Sequence, residues 1–348
     1  MTDQPLPTTA AISAIAGVSK STASRALNND PRISAKTQAR VWSIAEELGY
    51  APNEIAQSLA RQRSRIIGFI VTQEQNYWYQ EKIHVLAGAI AAAGMQTMIF
   101  QAPEGGDIVD IVPEMLRYRL AGCIAIPTVD VSRPSLETLH RFRIPVVLLN
   151  RQVRGSNAFS VACDQMSGAR AAAQFLLVGG HQRIAIVAGS KTPTAVAREA
   201  GFVAGLADAG ATLFKRCEGG FTFEGAYAAT RQLYASTARP DAIFAANDLM
   251  AFGVLDALRD LGVRLVEEVS VVGFDNSLVA AWPSYRLTTV AQPIEHMFRR
   301  AIEFIERQNR DPAQRTEVVI VEGELILRHT ARVPAELPKL DIAVRDAR

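Results

Sequence analysis

Cysteine is scarce in this chain: Cys123, Cys163 and Cys217 are the only three among 348 residues. They are odd in number, far apart and outside any CxxC pair, which excludes a disulfide framework and fits a reducing compartment. Cys123 and Cys163 fall in strand-like runs, where a thiol packs as a small hydrophobe. Long apolar runs are missing too. No stretch reaches the roughly 18 residues of a membrane span. The first residues, Met1 to Thr9, hold no basic start followed by an apolar stretch. No secretory signal and no membrane partner are expected, and the cytoplasm is the expected location. Neither charge sign dominates, with 37 Lys/Arg against 35 Asp/Glu and a net charge of +2. What excess exists is local. Residues 1–65 carry eight basic side chains (Lys20, Arg25, Arg32, Lys36, Arg40, Arg61, Arg63, Arg65) against five acidic ones, which leaves +3 there and −1 for the remainder.

The signatures of common enzyme chemistry are also lacking. The five histidines (His84, His140, His181, His296, His329) are scattered and form no metal spacing. There is no GxSxG elbow and no GxGxxG after a strand. The segment Gly189-Ser-Lys-Thr192 echoes the end of a phosphate loop, but Ser190 and Ala185 stand where that loop needs glycine. No catalytic residue, metal or cofactor is expected. An exported solute-binding protein and an α/β enzyme remain the alternatives of other classes, and the front of the chain argues against both.

What is present is a soluble composition, 49% hydrophobic and 21% charged, in a chain long enough for two or three folding units. Thr8 or Thr9 can cap a short helix through Ala10–Ala16, and Gly17 can end it in a left-handed backbone. Ser19 then opens a second helix, Lys20–Leu27. Two short helices joined by a tight glycine-containing turn make a helix-turn-helix unit. Asn28-Asn-Asp-Pro31 reads as a turn. Ser34 caps a third helix whose Val41, Ile44, Ala45 and Leu48 form one core-facing stripe. The second helix offers Lys20, Ser21, Thr22, Ser24 and Arg25 outward and leaves only Ala23, Ala26 and Leu27 to pack. A plain three-helix bundle would satisfy the same periodicity. The polar face, however, can donate to phosphates and base edges.

Three segments carry the reading further: Gly17-Val-Ser-Lys-Ser-Thr-Ala-Ser-Arg-Ala-Leu-Asn28, Ile33-Ser-Ala-Lys-Thr37 and Glu47-Leu-Gly-Tyr-Ala-Pro-Asn53. Together they closely resemble the headpiece of the LacI/GalR (lactose-repressor) family, without a gap from about Thr8 to Arg65. The resemblance implies that Lys20, Ser21 and Arg25 read bases and that Arg25 can pair bidentately with guanine. It implies backbone contacts for Ser19, Thr22, Ser24, Asn28, Arg32, Ser34 and Tyr50. Ser13 and Ala23 depart from the family's usual alanine and valine or isoleucine, at positions that pack the first two helices together. Residues 53–60 resemble the family's hinge helix, with Leu59 as the residue wedged into the minor groove. An ordinary linker helix with Leu59 packed inward is the other reading. The expected divisions are a head over 1–52, a hinge and linker over 53–65, a body over 66–333 and a C-terminal tail over 334–348.

From Ile66 onward, Val/Ile-rich runs of strand length alternate with helical stretches: Ile66–Val71, Met95–Phe100, Gly122–Ile126, Pro145–Leu149, Arg183–Ala188, Ala242–Ala246 and Val269–Phe274. Such runs suit strands buried on both faces of a parallel sheet. The expected fold is therefore an all-α helix-turn-helix head followed by an α/β body of two doubly wound parallel-sheet lobes. The lobes are drawn at about 66–160 plus a C-terminal return and at 161–290. Ligands in such folds sit beyond the carboxyl ends of the strands, here in the cleft between lobes.

Gly179-Gly-His-Gln-Arg-Ile-Ala185, Arg198-Glu-Ala-Gly-Phe202, Ala246-Asn-Asp248, Val271-Val-Gly-Phe-Asp275 and Leu287-Thr-Thr-Val290 make the body resemble the same family's effector domain, which is related to periplasmic sugar-binding proteins. The resemblance implies effector contacts for Arg198, Asn247 and Asp275, with Phe221 and Trp78 as aromatic walls and Asn150 and Arg151 as weaker candidates. Tyr77 departs from the usual proline beside Trp78. Structural roles are open for each: Asp275 as a strand-end cap, Arg198 as a surface ion pair, Trp78 as core. The implied partners are operator DNA, a second copy of the chain in a homodimer, and a small-molecule effector. A sugar or sugar acid is favoured there over a purine or nucleoside.

Overall fold

The computed structural model describes residues 7–50, 64–72, 77–103, 107–151, 153, 156–314, 316–335 and 340–348, and for residues 77–80 the backbone only. Leu59 and the whole of 53–60 lie outside them. The chain divides into two compact units, 1–64 and 65–348.

The first unit holds three helices among the described residues, α1 (Thr9–Ala16), α2 (Lys20–Leu27) and α3 (Ala35–Glu47). Thr8 caps α1 by accepting the Ala11 N–H at 3.3 Å, and Gly17 ends it at φ 61°. That left-handed turn sends the chain straight into Ser19, whose hydroxyl caps α2 through the Thr22 N–H at 3.0 Å. Ser34 repeats the device for α3 with Thr37. Ile12, Ala16, Ala23, Ala26, Leu27, Val41 and Ala45 form the core. Small residues on α1 and α2 let the helices approach closely. Ser13 is buried and returns its hydroxyl to the Ala10 carbonyl at 2.8 Å, so a hydroxyl in place of a methyl leaves no unpaired group. Leu48, expected in the core stripe, is instead 37% exposed, because α3 ends at Glu47 and the chain turns away.

The second unit holds two sheets. The first runs in the order β11-β5-β4-β3-β1-β2, with β1 Ile66–Val71, β2 Gln96–Gln101, β3 Gly122–Ala125, β4 Val146–Leu149, β5 Phe159–Cys163 and β11 Val318–Val321, every neighbouring pair parallel. The second runs β13-β12-β10-β9-β8-β6-β7, with β6 Ile184–Ala188, β7 Lys215–Glu218, β8 Ala242–Ala245, β9 Ser270–Asp275, β10 Thr288–Ala291, β12 Glu324–Leu327 and β13 Ala343–Asp346. Only β10 and β12 pair antiparallel there. The central strands are buried along their whole length, as strands covered on both faces must be. Eight further helices among the described residues cover the faces: α4 (Tyr77–Ala92), α5 (Val112–Arg117), α6 (Arg133–Arg141), α7 (Gln165–Val178), α8 (Pro193–Asp208), α9 (Phe223–Tyr234), α10 (Asp248–Asp260) and α11 (Ile294–Arg310).

The chain crosses between lobes three times. It leaves the first sheet after β5, where Asp164 caps α7 through the Ser167 N–H at 2.9 Å. It returns after β10 through Gln292 and Pro293 into α11, and crosses again at Gly323 between β11 and β12. A Cβ at Gly323 would stand 2.8 Å from the Ala291 carbonyl oxygen, so two crossings lie side by side. The first crossing follows Cys163, so the strand Phe159–Cys163 belongs wholly to the first lobe and the expected division at 160 falls inside it. Residues placed by sequence in a tail also join the fold. Ala343–Asp346 pairs with β12 in parallel, and Ile342 is buried in the core.

Candidate functional site

The carboxyl ends of both sheets bring together the polar side chains that the sequence singles out, as expected for doubly wound sheets. Arg198, on the buried face of α8, is 4% exposed and is no surface ion pair. Its Nη2 donates to Asp275 Oδ1 at 2.9 Å, its Nη1 to the Ala246 carbonyl at 2.5 Å and its Nε to Gln165 Oε1 at 2.7 Å. The guanidinium also lies over the Phe274 ring, 3.9 Å from its centroid. Asp275 ends β9 at φ 127° and is followed by Asn276 at φ 52°, a backbone that non-glycine residues rarely adopt. Burial pushes the Asp275 carboxyl up, while the Arg198 charge and the Gln292 amide pull it back down.

Asn247 is buried and caps α10, its Oδ1 accepting the Met250 N–H at 2.9 Å. The next residue does more at the site than the sequence suggests. Asp248 accepts from the Thr289 hydroxyl at 2.6 Å and from the Ser277 N–H at 2.7 Å, which ties α10, β10 and the strained turn after β9 together. Burial, with the charge of Asp275 nearby, pushes its pKa up to about 7. Phe221, at φ 62°, packs its ring over Gly189, where a Cβ would stand 2.3 Å from the ring. The Gly189-Ser-Lys-Thr192 segment thus needs its glycine for an aromatic neighbour.

From the first lobe, Asn150 follows β4 and is buried, with Nδ2 donating to Gln292 Oε1 at 2.8 Å. Arg151 is held within its own lobe by the Val129 carbonyl at 2.6 Å and the Asp130 carboxylate at 3.2 Å. Glu81 on α4 reaches across and accepts the Leu278 N–H at 2.8 Å. Trp78 stands in the first turn of α4, beyond the end of β1, and its side chain lies outside the described atoms. Gln165 and Gln292 bind this site together, and sequence reasoning does not single them out. The one available signal is a glutamine within two residues of the end of each of two strands.

In the first unit, Lys20, Ser21, Ser24 and Arg25 are exposed along α2 while Ala23, Ala26 and Leu27 are buried. The residues assigned to backbone contacts are held mostly by bonds inside the head. Ser19 and Thr22 hydroxyls meet at 2.8 Å, Asn28 Nδ2 donates to the Ser24 carbonyl at 2.8 Å, Arg32 pairs with Asp30 at 2.7 Å, and Tyr50 meets Thr9 at 3.0 Å. No helix among the described residues is long and apolar enough to cross a membrane, and among them no group of three His, Cys, Asp or Glu is placed to hold a metal ion.

Known proteins share both units. Residues 11–53 match the model of bacterial regulatory proteins of the lacI family, and residues 173–331 match that of a periplasmic binding protein-like domain. The chain is 29% identical over 327 residues to the HTH-type transcriptional repressor PurR of Photobacterium profundum, covering 92% of this chain and 97% of the relative. It is 29% identical over 308 residues to the ribose operon repressor of Escherichia coli (strain K12), covering 86% and 92%. Its fold matches the lac repressor dimer bound to operator and the anti-inducer ONPF with a TM-score of 0.79 over 93% of this chain and 98% of that one, at 24% identity, a likeness of fold alone.

Proposed function

This chain belongs to the LacI family of bacterial regulatory proteins, and from that premise we propose that it is a homodimeric transcriptional repressor whose hold on an operator is set by a small hydroxyl-bearing molecule in the cleft of its body. The observation that carries the DNA half is the exposed row Lys20, Ser21 and Arg25 on a helix whose opposite face is fully buried. Two such heads related by a two-fold axis suit successive major grooves of a near-palindromic site, and Leu59 is assigned to the minor groove between them. Arg25→Ala is expected to cost roughly 1–3 kcal/mol of discrimination at one base pair per half-site. Weaker, salt-sensitive binding to any duplex should remain. Fluorescence anisotropy on operator and scrambled duplexes checks this, and an operator preference that survives the change removes Arg25 from the base-reading role.

For the effector, the charges favour a neutral sugar over a sugar acid. Arg198 is already paired with Asp275, and a ligand carboxylate would meet Asp275 with Asp248 close behind it. Hydroxyl groups can donate to Asp275 and accept from the guanidinium without adding charge. The ring of Phe221 supplies an apolar wall. A thermal-shift panel of neutral pentoses and hexoses, sugar acids and purines tests the class, with Arg198→Ala run beside the wild type. Stabilisation by a neutral sugar that Arg198→Ala abolishes is the expected result. Stabilisation by a sugar acid or a purine alone overturns the assignment of class while leaving the cleft in place.

A further inference from the structure

Five buried side chains close a ring of hydrogen bonds at the hinge between the lobes. Arg198 can only donate and an ionised Asp275 can only accept, and two routes join them. One is the direct contact at 2.9 Å. The other runs through three amides. Arg198 Nε donates to Gln165 Oε1 at 2.7 Å, which leaves the Gln165 nitrogen to donate, to Asn150 Oδ1 at 3.2 Å and to Gln292 Oε1 at 3.5 Å. Asn150 Nδ2 donates to Gln292 Oε1 at 2.8 Å, and Gln292 Nε2 donates to Asp275 Oδ1 at 2.8 Å. The route starts at an obligate donor and ends at an obligate acceptor. No single amide can flip without setting donor against donor and acceptor against acceptor. All five residues are at most 7% exposed, so water cannot readily replace a lost partner.

Two of the three amides stand where the chain changes lobes, and the third is bonded to that place from within the first lobe. Gln165 opens α7 one residue after the first crossing begins, Gln292 is the second crossing itself, and Asn150 follows β4. Asn150 Oδ1 also takes the N–H of Cys163, the last residue before the first crossing, at 2.8 Å. We infer that this ring is a hinge lock, in which Gln165, Asn150 and Gln292 are positioning residues that hold the Arg198–Asp275 pair in register with two of the three lobe crossings. A ligand that draws either charge toward itself opens the ring at the pair, and a change in lobe angle opens it at the amides. A closed, directional ring is intact or broken, which is the two-state element that coupling between sites requires. The regulatory consequence rests on the proposed cleft ligand; the lock does not, and it is testable with no ligand at all.

The test is amide hydrogen exchange by NMR on the full chain without sugar or DNA. Gln292→Leu keeps the bulk and removes both polar atoms. The Cys163 N–H should then exchange about tenfold faster, although its own partner is untouched, because Asn150 loses the neighbour that fixes it. The Asp164 N–H, held by the Val321 carbonyl at 2.8 Å, should keep its wild-type rate. Should Gln292→Leu fail to fold, Gln165→Met on the other side of Asn150 is read the same way. A wild-type rate at Cys163 overturns the lock. Equal acceleration at Cys163 and Asp164 overturns it as well, since that reports a loosened crossing. Either failure leaves the sugar panel standing, and a panel without hits leaves the exchange result standing.

Discussion

Ser19 is placed to serve a helix and a phosphate with one hydroxyl. Its Oγ accepts the Thr22 N–H at 3.0 Å and so caps α2, yet the residue is accessible beside the exposed Lys20. The two roles separate by substitution. Ser19→Ala removes both and should cost the head about 0.5–2 kcal/mol. Ser19→Asp restores a capping oxygen and adds a negative charge at a helix N-terminus, which is favourable for the helix and repulsive to DNA. Melting of residues 1–64 by circular dichroism should therefore fall for Ser19→Ala and recover for Ser19→Asp. Operator affinity should fall for both and further for Ser19→Asp. Wild-type affinity in Ser19→Asp would leave Ser19 as a cap only. Asn247 shows the same ambiguity from the other side: an asparagine before a helix reads equally as cap and as ligand contact, and its Oδ1 is taken by Met250. The structure pairs Arg198 with Asp275 at 2.9 Å, and the two were legible only through the resemblance of the body to the family's effector domain, which implies effector contacts for both. Gln165 and Gln292 were not, since a glutamine at a strand exit is ordinary until tertiary structure faces it with another amide.

At the scale of elements, legibility followed apolar runs more than burial. Phe159–Cys163 and Thr288–Ala291 are interior and almost wholly buried, yet polar residues break their sequences and neither was among the runs singled out. The strand Ile66–Val71 has the bounds its apolar run suggests, and the other six runs differ from their strands by a residue or two at the ends. Of the four strands at sheet edges, Gln96–Gln101 carried such a run and the other three did not stand out. Lys215–Glu218 reads Lys-Arg-Cys-Glu, mostly exposed, and pairs on one side only. Val318–Val321 is wholly apolar but only four residues long, and it alternates exposed and half-buried positions because it too pairs on one side only. Ala343–Asp346 is the third of these, in a segment whose composition looked like a tail. In Lys215–Glu218 and Ala343–Asp346 the charged residues discourage pairing with another chain, and they also erase the hydrophobic signal. In the head, the caps were the legible part: Ser19, Gly17 and Ser34 stand where the helices begin and end. The exposed Leu48 was misplaced because periodicity says which side of a helix is apolar but not where the helix stops.

At the scale of the whole molecule, two buried groups give the body opposing dependences on pH. Asp248 has its pKa raised from 3.8 to about 7 by burial and by Asp275. Between those values the folded state holds a proton that the unfolded state has released, so this contribution is full below 3.8 and is lost as pH rises through about 7. His181, in the turn between α7 and β6, is 3% exposed with neither ring nitrogen hydrogen-bonded, and the Asp241 carboxylate stands 3.7 Å from Nδ1. Burial, aided by Arg332, lowers its pKa below 6.5 against the pull of Asp241. The unfolded state then binds the extra proton, so this contribution is full above 6.5 and is lost as pH falls toward the lowered value. The windows overlap just below 6.5, where the two slopes offset each other in the wild type. Single variants separate them. Relative to wild type, the urea midpoint of the body should rise for His181→Leu as pH is lowered from about 7 to about 5, and for Asp248→Asn as pH is raised from about 5 to about 8. A difference that stays flat with pH in either variant would show that its residue keeps an ordinary pKa in the folded chain.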